Sequence, residues 1–331
     1  MRPSDLLSRP NRRSILIGGA ALGVLPRQAR ADQWPARPVR LIVPFAAGGT
    51  TDILARVVAA HASDEFGRQF FVENKAGASG NIAAEAVAKA DPDGYTFIVG
   101  TPGTHAINQF VYKNLAYDPI RDIAPVIIIA RVPNLCSVTN SLPVKSVPEL
   151  IAYAKSKPGQ LFYGTPGLGS TAHFSVELFK SMTGVDFTHV TYKGSAPALT
   201  DLIAGRVHLM IDNLPAAQSF ADTGAIRPLA VSTAMRWPLL PELPTIAEAG
   251  VPGYEAASWF TVGAPAKTPG EIIDRLNASL DRYLKSQGGI TRLRKLGAEP
   301  AGGSPDDMQR HILAEIEKWR EVAKFAGIKP E

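Results

Sequence analysis

Six times along this chain a run with strand character ends in a loop of glycine, serine, threonine or asparagine, and in most cases a helical pattern follows. The loops lie at 44–52, 74–81, 100–105, 164–171, 192–195 and 212–213. This alternation predicts an α/β architecture with parallel strands. In such sheets ligands sit beyond the carboxyl ends of the strands, so the loops are expected to converge on one site. The first loop, Val43-Pro44-Phe45-Ala46-Ala47-Gly48-Gly49-Thr50-Thr51-Asp52, joins an apolar run to a helix start. A helix start offers unpaired N–H groups and the positive end of the backbone dipole, and glycines let an anion approach without a Cβ in the way. Taken alone, the loop reads equally well as a close-packed turn that holds nothing.

Residues 1–31 read as a segment apart from the fold. Asn11-Arg12-Arg13-Ser14 opens an apolar stretch through Leu25, followed by Pro26 and Ala29-Arg30-Ala31. That order predicts a secretory signal of twin-arginine type cut before Asp32, with an apolar part too short to anchor in a membrane. Six of the 35 basic and one of the 30 acidic residues fall in it, leaving 29 of each in the rest. The net charge of +5 therefore belongs to the signal. A balanced remainder argues against nucleic acid as a partner. The single cysteine, Cys136, lies in an apolar run and is expected to be a buried thiol.

The remaining chain, of about 300 residues, is long enough for two lobes with separate cores. Strands are expected at 40–44, 70–73, 95–100, 122–130, 135–139, 161–163, 187–192, 207–211, 226–232 and 257–262. Ser146-Val147-Pro148-Glu149, Thr268-Pro269-Gly270-Glu271 and Ser304-Pro305-Asp306-Asp307 have the form of helix caps. Gly100-Thr101-Pro102-Gly103 and Gly164-Thr165-Pro166-Gly167 both close aromatic strands, which predicts equivalent loops facing each other across a cleft. The last two helices are expected on the first lobe, so that the chain crosses twice, as in a hinged clamshell. The lobes are expected at 32–129 with 254–331, and at 130–253.

Enzymatic motifs are lacking. The sequence has no G-x-S-x-G elbow, H-E-x-x-H pair, Walker loop or Cys/His cluster at metal spacing. Gly167-Leu168-Gly169-Ser170-Thr171-Ala172 fits a dinucleotide fingerprint, but mid-chain and after a very short strand. His105 and His173 stand beside glycine loops without a partner evident in sequence, and structural or ligand-contacting roles fit them better than catalysis.

Together, Val43–Asp52, Asn74–Gly80, Asp93–Thr96, Tyr163–Ser170, Val190–Gly194 and Trp259 resemble the extracytoplasmic solute-binding receptors of tripartite tricarboxylate transporters, the Bug family. The resemblance covers essentially all of 34–328. It implies a type II periplasmic-binding-protein clamshell, α/β in class, with the ligand cleft between two lobes. It also implies a receptor for a small carboxylate: a dicarboxylate, an amino acid or an aromatic acid. By that similarity Phe45, Ala47, Gly48, Gly49 and Thr50 hold one carboxylate through N–H groups and bridging waters, with Asp52 fixing the helix start. Ala78, Ser79, Thr101 and Thr104 complete that wall, and Ser170, Thr171, His173, Tyr192, Gly194 and Asp212 face the variable end of the ligand. Ser79 and Asn81 depart from the more glycine-rich pattern of many relatives. The expected partners are membrane permease subunits, the expected place the periplasm and the expected state a monomer. No catalytic residue, metal or cofactor is expected. A ligand-loaded sensor partner and an exported enzyme of carboxylate metabolism are the alternatives.

Overall fold

The computed structural model describes residues 34–330. The expected signal segment lies outside them. Strands β1 (Val39–Val43), β2 (Phe70–Asn74) and β3 (Thr96–Gly100) are parallel, with β1 central. Strands β5 (Leu161–Thr165), β6 (Phe187–Thr191) and β7 (Leu209–Asn213) form a second parallel set, with β5 central. As the alternation predicts, α1 (Thr50–Phe66), α4 (Thr171–Thr183), α5 (Ser195–Ile203) and α6 (Leu214–Asp222) each follow a strand of these sets.

The two sets are joined by β4, which runs unbroken from Ile123 to Val138 where two separate strands were expected. Its first part pairs antiparallel with β9 (Ala257–Pro265) and β10 (Glu299–Gly302), and its second part with β7 and β8 (Arg227–Val231). The handover falls at Pro133, the last residue paired with β9; Asn134 is the first paired with β7. Proline has no N–H for a ladder, so it fits the point where one partner strand replaces another.

Each half buries both faces of its sheet. In the first, α1 and α7 (Gly270–Lys285) cover one face, Leu54, Val58 and Leu276 sharing a core with Phe97 of β3, while α2 (Asn81–Ala88) places Ala83, Ala84 and Val87 against Ile42 and Ile98 on the other. In the second, α5 and α6 share a core with Met210 and Val231, and α3 (Val147–Ser156) and α4 lie in a core with Tyr163 and Ile211. The cap at Ser304 forms in full, and Ser146 Oγ accepts the Glu149 N–H. Thr268 makes no cap, because α7 begins at Gly270 with Pro269 in the capping position.

Helix α9 (Pro305–Phe325), expected on the first lobe, packs against both halves, reaching Ala106, Ile107 and Ile128 of the first. Met308, Ile312, Ile316 and Trp319 join the cluster that holds Phe174 and Tyr163. Trp319 meets Phe174 edge-on at 5.7 Å, and Glu315 Oε2 accepts the indole N–H groups of both Trp319 and Trp259 of β9. One carboxylate thus ties the C-terminal helix to the strand that returns to the first half.

Beside the handover, Asn134, Ser175, Ser232 and Ser258 form a buried polar cluster. The Asn134 N–H donates to Ser232 Oγ at 2.8 Å and Asn134 Nδ2 to Ser175 Oγ at 2.8 Å. Ser258 Oγ lies 2.6 Å from Thr171 Oγ1, so this cluster reaches the first turn of α4.

Candidate functional site

A small chamber of about 20 Å³ lies between the halves, lined by Phe45, Gly49, Thr50, Thr51, Thr101, Pro166, Ser170, Thr171, Ser195, Asn213 and Phe260. Four helices begin at its wall: α1 at Thr50, α4 at Thr171, α5 at Ser195 and α6 at Leu214, just after Asn213. At α1, α5 and α6 no side chain caps the first turn. At α4, Ser170 Oγ accepts the His173 N–H at 3.2 Å and donates to the Gly167 carbonyl at 2.6 Å. The chamber therefore collects the positive ends of four helix dipoles in a site almost closed to water, and this favours an anion.

The loop before α1 is held from beneath. Asp52 is 3% exposed and accepts from the Gly48 N–H at 3.0 Å, from Arg56 at 2.9 Å through each oxygen and from Asn74 at 3.1 Å. Burial opposes its charge, but those hydrogen bonds outweigh it and hold the carboxyl below its ordinary range. Asp52 shapes the loop and does not line the chamber. Gly48 takes φ +83°, whereas Gly49, which does line the chamber, has an ordinary φ of −81°.

The two halves touch directly here. The Ala46 N–H donates to the Lys193 carbonyl at 3.0 Å, and a Cβ on Gly194 would come within 3.0 Å of Ala46 N and Cβ. The two Gly-Thr-Pro-Gly loops meet as well, since Thr101 and Pro166 share the chamber and a Cβ on Gly103 would lie 3.2 Å from the Gly169 carbonyl. A Cβ on Gly167 would lie 2.7 Å from Ser79 Oγ, and one on Gly169 would lie 2.6 Å from Asn108 Oδ1. That crowding leaves a pyrophosphate no room at the Gly167–Gly169 fingerprint.

A second cavity of about 540 Å³ shares Phe45 and Pro166 with the chamber and extends outward past Ala78, Ser79, Tyr112, Leu168, Tyr192 and Lys193. Among the described residues, Lys193 is the one charged residue in its lining. The loop at its edge is tightly wound: Ala78 and Ser79 take φ of 43° and 53° between Gly77 and Gly80. Ser79 is held there by Tyr112, whose hydroxyl donates to its Oγ at 2.9 Å, and by Asn108 Nδ2, which donates to its carbonyl at 3.2 Å. Left-handed backbone at two adjacent L residues is the strain that glycines would relieve, and it explains what the departure at Ser79 entails.

Of the residues singled out in the sequence, Phe45, Gly49, Thr50, Thr101, Ser170 and Thr171 come together at the chamber, and Phe45, Ala78, Ser79 and Tyr192 at the outer cavity. Ala47 and Gly48 are exposed on the loop. Gly194 caps α5 at the contact between the halves. Thr104 closes its own turn through the Thr101 N–H at 3.0 Å. His173 stands behind the loop, its Nδ1 3.3 Å from the Gly169 N–H and its ring stacked on His189 at 4.7 Å. Asp212 is buried beside the lining residue Asn213, whose N–H donates to Asp212 Oδ1 at 2.8 Å. Sequence reasoning passed over Thr51, Pro166, Ser195, Asn213 and Phe260 as contact residues. Ser195 and Asn213 stood inside flagged loops, while Phe260 reaches the site through the antiparallel return of β9, which no local motif announces.

Residues 54–328 match the model of the tripartite tricarboxylate transporter family receptor. The chain belongs to that family. Protein BugT of Bordetella pertussis is 37% identical to this receptor over 300 residues, which are 90% of this chain and 92% of BugT. Among solved structures, Rpa4515 of R. palustris with adipate is 62% identical with a TM-score of 0.89, over 90% of this chain and all of that one. MatC from Rhodopseudomonas palustris with bound malate is 35% identical with a TM-score of 0.84, over 87% of this chain and 99% of that one. The receptor is thus a two-lobed α/β binding protein with its cleft between the lobes. Among its described residues no helix is long and apolar enough to cross a membrane.

Proposed function

We propose that this receptor closes in the periplasm on a small dicarboxylate and delivers it to the permease subunits of a tripartite transporter, without turnover. The observation that carries this reading is the convergence of four helix N-termini on one chamber, three of them without a side-chain cap. Each such terminus favours an anion by about 0.3–1 kcal/mol at the surface and more when partly buried. Two receptors of the same family have been solved with the dicarboxylates adipate and malate. In the present chain one carboxylate takes the place of the chamber once the lobes part enough to widen it, and the remainder of the ligand runs past Phe45 and Pro166 toward Lys193. A chamber of about 20 Å³ is the size of a single water, so such a ligand enters only as the lobes part. The lobe boundaries expected from sequence, a monomeric state and export by the twin-arginine route complete the proposal.

Thermal shift and calorimetry with adipate, malate, succinate, a monocarboxylate and adipamide test it. A ligand at 100 times its dissociation constant stabilises the fold by about 2.7 kcal/mol. The dicarboxylates are expected to stabilise and the uncharged diamide is not. Stabilisation by none of the acids, or equally by the diamide, overturns the reading.

A further inference from the structure

The chamber accounts for one end of a dicarboxylate, and the wall of the outer cavity holds a group suited to the other. Four residues with hydroxyl groups line that cavity: Ser79, Tyr112, Thr191 and Tyr192. The Tyr192 hydroxyl donates to Asp201 Oδ2 at 2.7 Å and the Tyr112 hydroxyl to Ser79 Oγ at 2.9 Å, so both of those protons are engaged. Thr191 is exposed. Ser79 differs from all three. It is 9% exposed, its Oγ accepts the Tyr112 proton, and among the described residues its own O–H meets no acceptor. A hydroxyl whose oxygen already accepts a hydrogen bond is polarised into a better donor, and the effect is larger away from water.

The backbone is strained to keep this side chain in place. Ala78 and Ser79 take φ of 43° and 53°, left-handed values that L residues hold only where the surroundings over-determine them, and such strain gathers at ligand clamps. Glycine at position 79 would remove the strain there, and the hydroxyl with it. Asn108 Nδ2 fixes the Ser79 carbonyl at 3.2 Å. From the other half, Gly167 leaves the hydroxyl its room, since a Cβ there would stand 2.7 Å from Ser79 Oγ. The hydroxyl thus lies at the seam between the halves, on the cavity wall.

Resting on the carboxylate reading above, we propose that Ser79 determines specificity for the far end of the ligand, its hydroxyl donating to the second carboxylate of a dicarboxylate. Tyr112 is a positioning residue that acts through Ser79, holding the hydroxyl so that its proton is turned to the cavity. Between its two ends the ligand passes Phe45, Ala78, Pro166 and Leu168, so the class is a dicarboxylate with an apolar spacer, of which adipate is an example. Lys193 supplies charge at the same end from an exposed position, and Ser79 supplies direction.

The test is calorimetry of the full chain with adipate and with hexanoate, which has the same number of carbons and a single carboxylate. Wild type is compared with Ser79→Ala, Ser79→Gly and Tyr112→Phe. Both Ser79 variants are expected to weaken adipate by about tenfold, the lower end for a hydrogen bond to a charged group, and to leave hexanoate within about twofold. The adipate loss is expected to persist at high salt, unlike that of an exposed ion pair. Tyr112→Phe frees the Ser79 hydroxyl to turn, and is expected to weaken adipate by about two- to fivefold without weakening hexanoate.

Melting curves separate this role from a structural one. Ser79→Gly loses the left-handed strain that Ser79→Ala keeps, so it is expected to melt higher, while the two lose adipate equally. Adipate losses that follow the melting temperatures, losses shared equally by hexanoate, or no loss at all overturn this inference and leave the receptor reading standing. So does a wild type that binds malate or succinate but not adipate. Failure of all three dicarboxylates to bind overturns both. Ser79→Gly keeps the test open where Ser79→Ala does not fold.

Discussion

The backbone N–H of Ala46 donates to the carbonyl of Lys193 at 3.0 Å, joining the loop before α1 to the loop before α5 across the cleft. One such bond is worth about 0.5–1.5 kcal/mol, too little to lock two lobes by itself. It marks a closed arrangement that a bound ligand completes with contacts available only there. The radius of gyration from small-angle scattering is therefore expected to fall when a saturating carboxylate is added to the free protein. An unchanged radius, with binding proven by calorimetry, would show the site to be rigid.

Gly48 and Gly49 predict opposite outcomes. Gly48 is exposed at φ +83°, and a Cβ there would lie 3.6 Å from Ala196 Cβ, so Gly48→Ala finds space but incurs left-handed strain. It is expected to cost about 1–2 kcal/mol of stability. Gly49 has no such strain, and a Cβ there would meet Ala46 O at 3.6 Å and Ser195 Cβ at 3.8 Å. Gly49→Val is expected to fold and to abolish carboxylate binding by filling the chamber. Melting curves and calorimetry on both variants decide it, and parental affinity in folded Gly49→Val removes the loop from the site.

Lys193 sits exposed at the outer cavity, where an ion pair is screened by solvent. Lys193→Gln is expected to weaken dicarboxylates by about 1.4- to 5-fold, matching 0.2–1 kcal/mol for an exposed pair. The loss should shrink at high salt and be absent for a monocarboxylate. Equal losses for mono- and dicarboxylates would place the distal group elsewhere.

Acid sensitivity follows from three histidines kept neutral by burial. His105 is pushed down to about 4, His173 to about 3 and His189 to about 4. Below the ordinary histidine value of about 6.5 the unfolded chain takes up protons that the folded chain does not, so stability is lost as pH falls. Asp212, raised to about 6, has the opposite sign over part of that range, but it is one group against three. The melting temperature of the free receptor is expected to drop more between pH 6.5 and 5 than between pH 8 and 6.5. A flat profile from 6.5 to 5 would mean that these histidines are not buried neutral.

The loops were legible because glycine, serine and threonine at strand ends are local signals, and six of the expected contact residues do meet at the chamber. The parallel sets and most of their helices were legible for the same reason. The continuity of β4 through Pro133 was hidden, since a proline inside a strand argues locally for a break and only the exchange of partner strands explains it. The contact of α9 with the second half was hidden too, because Trp319 finds Phe174 only in three dimensions. The place of Phe260 belongs to the same class, being a property of what surrounds a residue.

The central claim, that converging helix N-termini hold a carboxylate, is tested most directly by a crystal structure of the receptor with whichever acid of the panel binds most tightly. The account predicts one carboxylate within hydrogen-bond distance, directly or through one water, of the first-turn N–H groups of α1 and of at least one of α4, α5 and α6. A ligand whose carboxylates all lie in the outer cavity, with the chamber walls in contact as they are here, would contradict it.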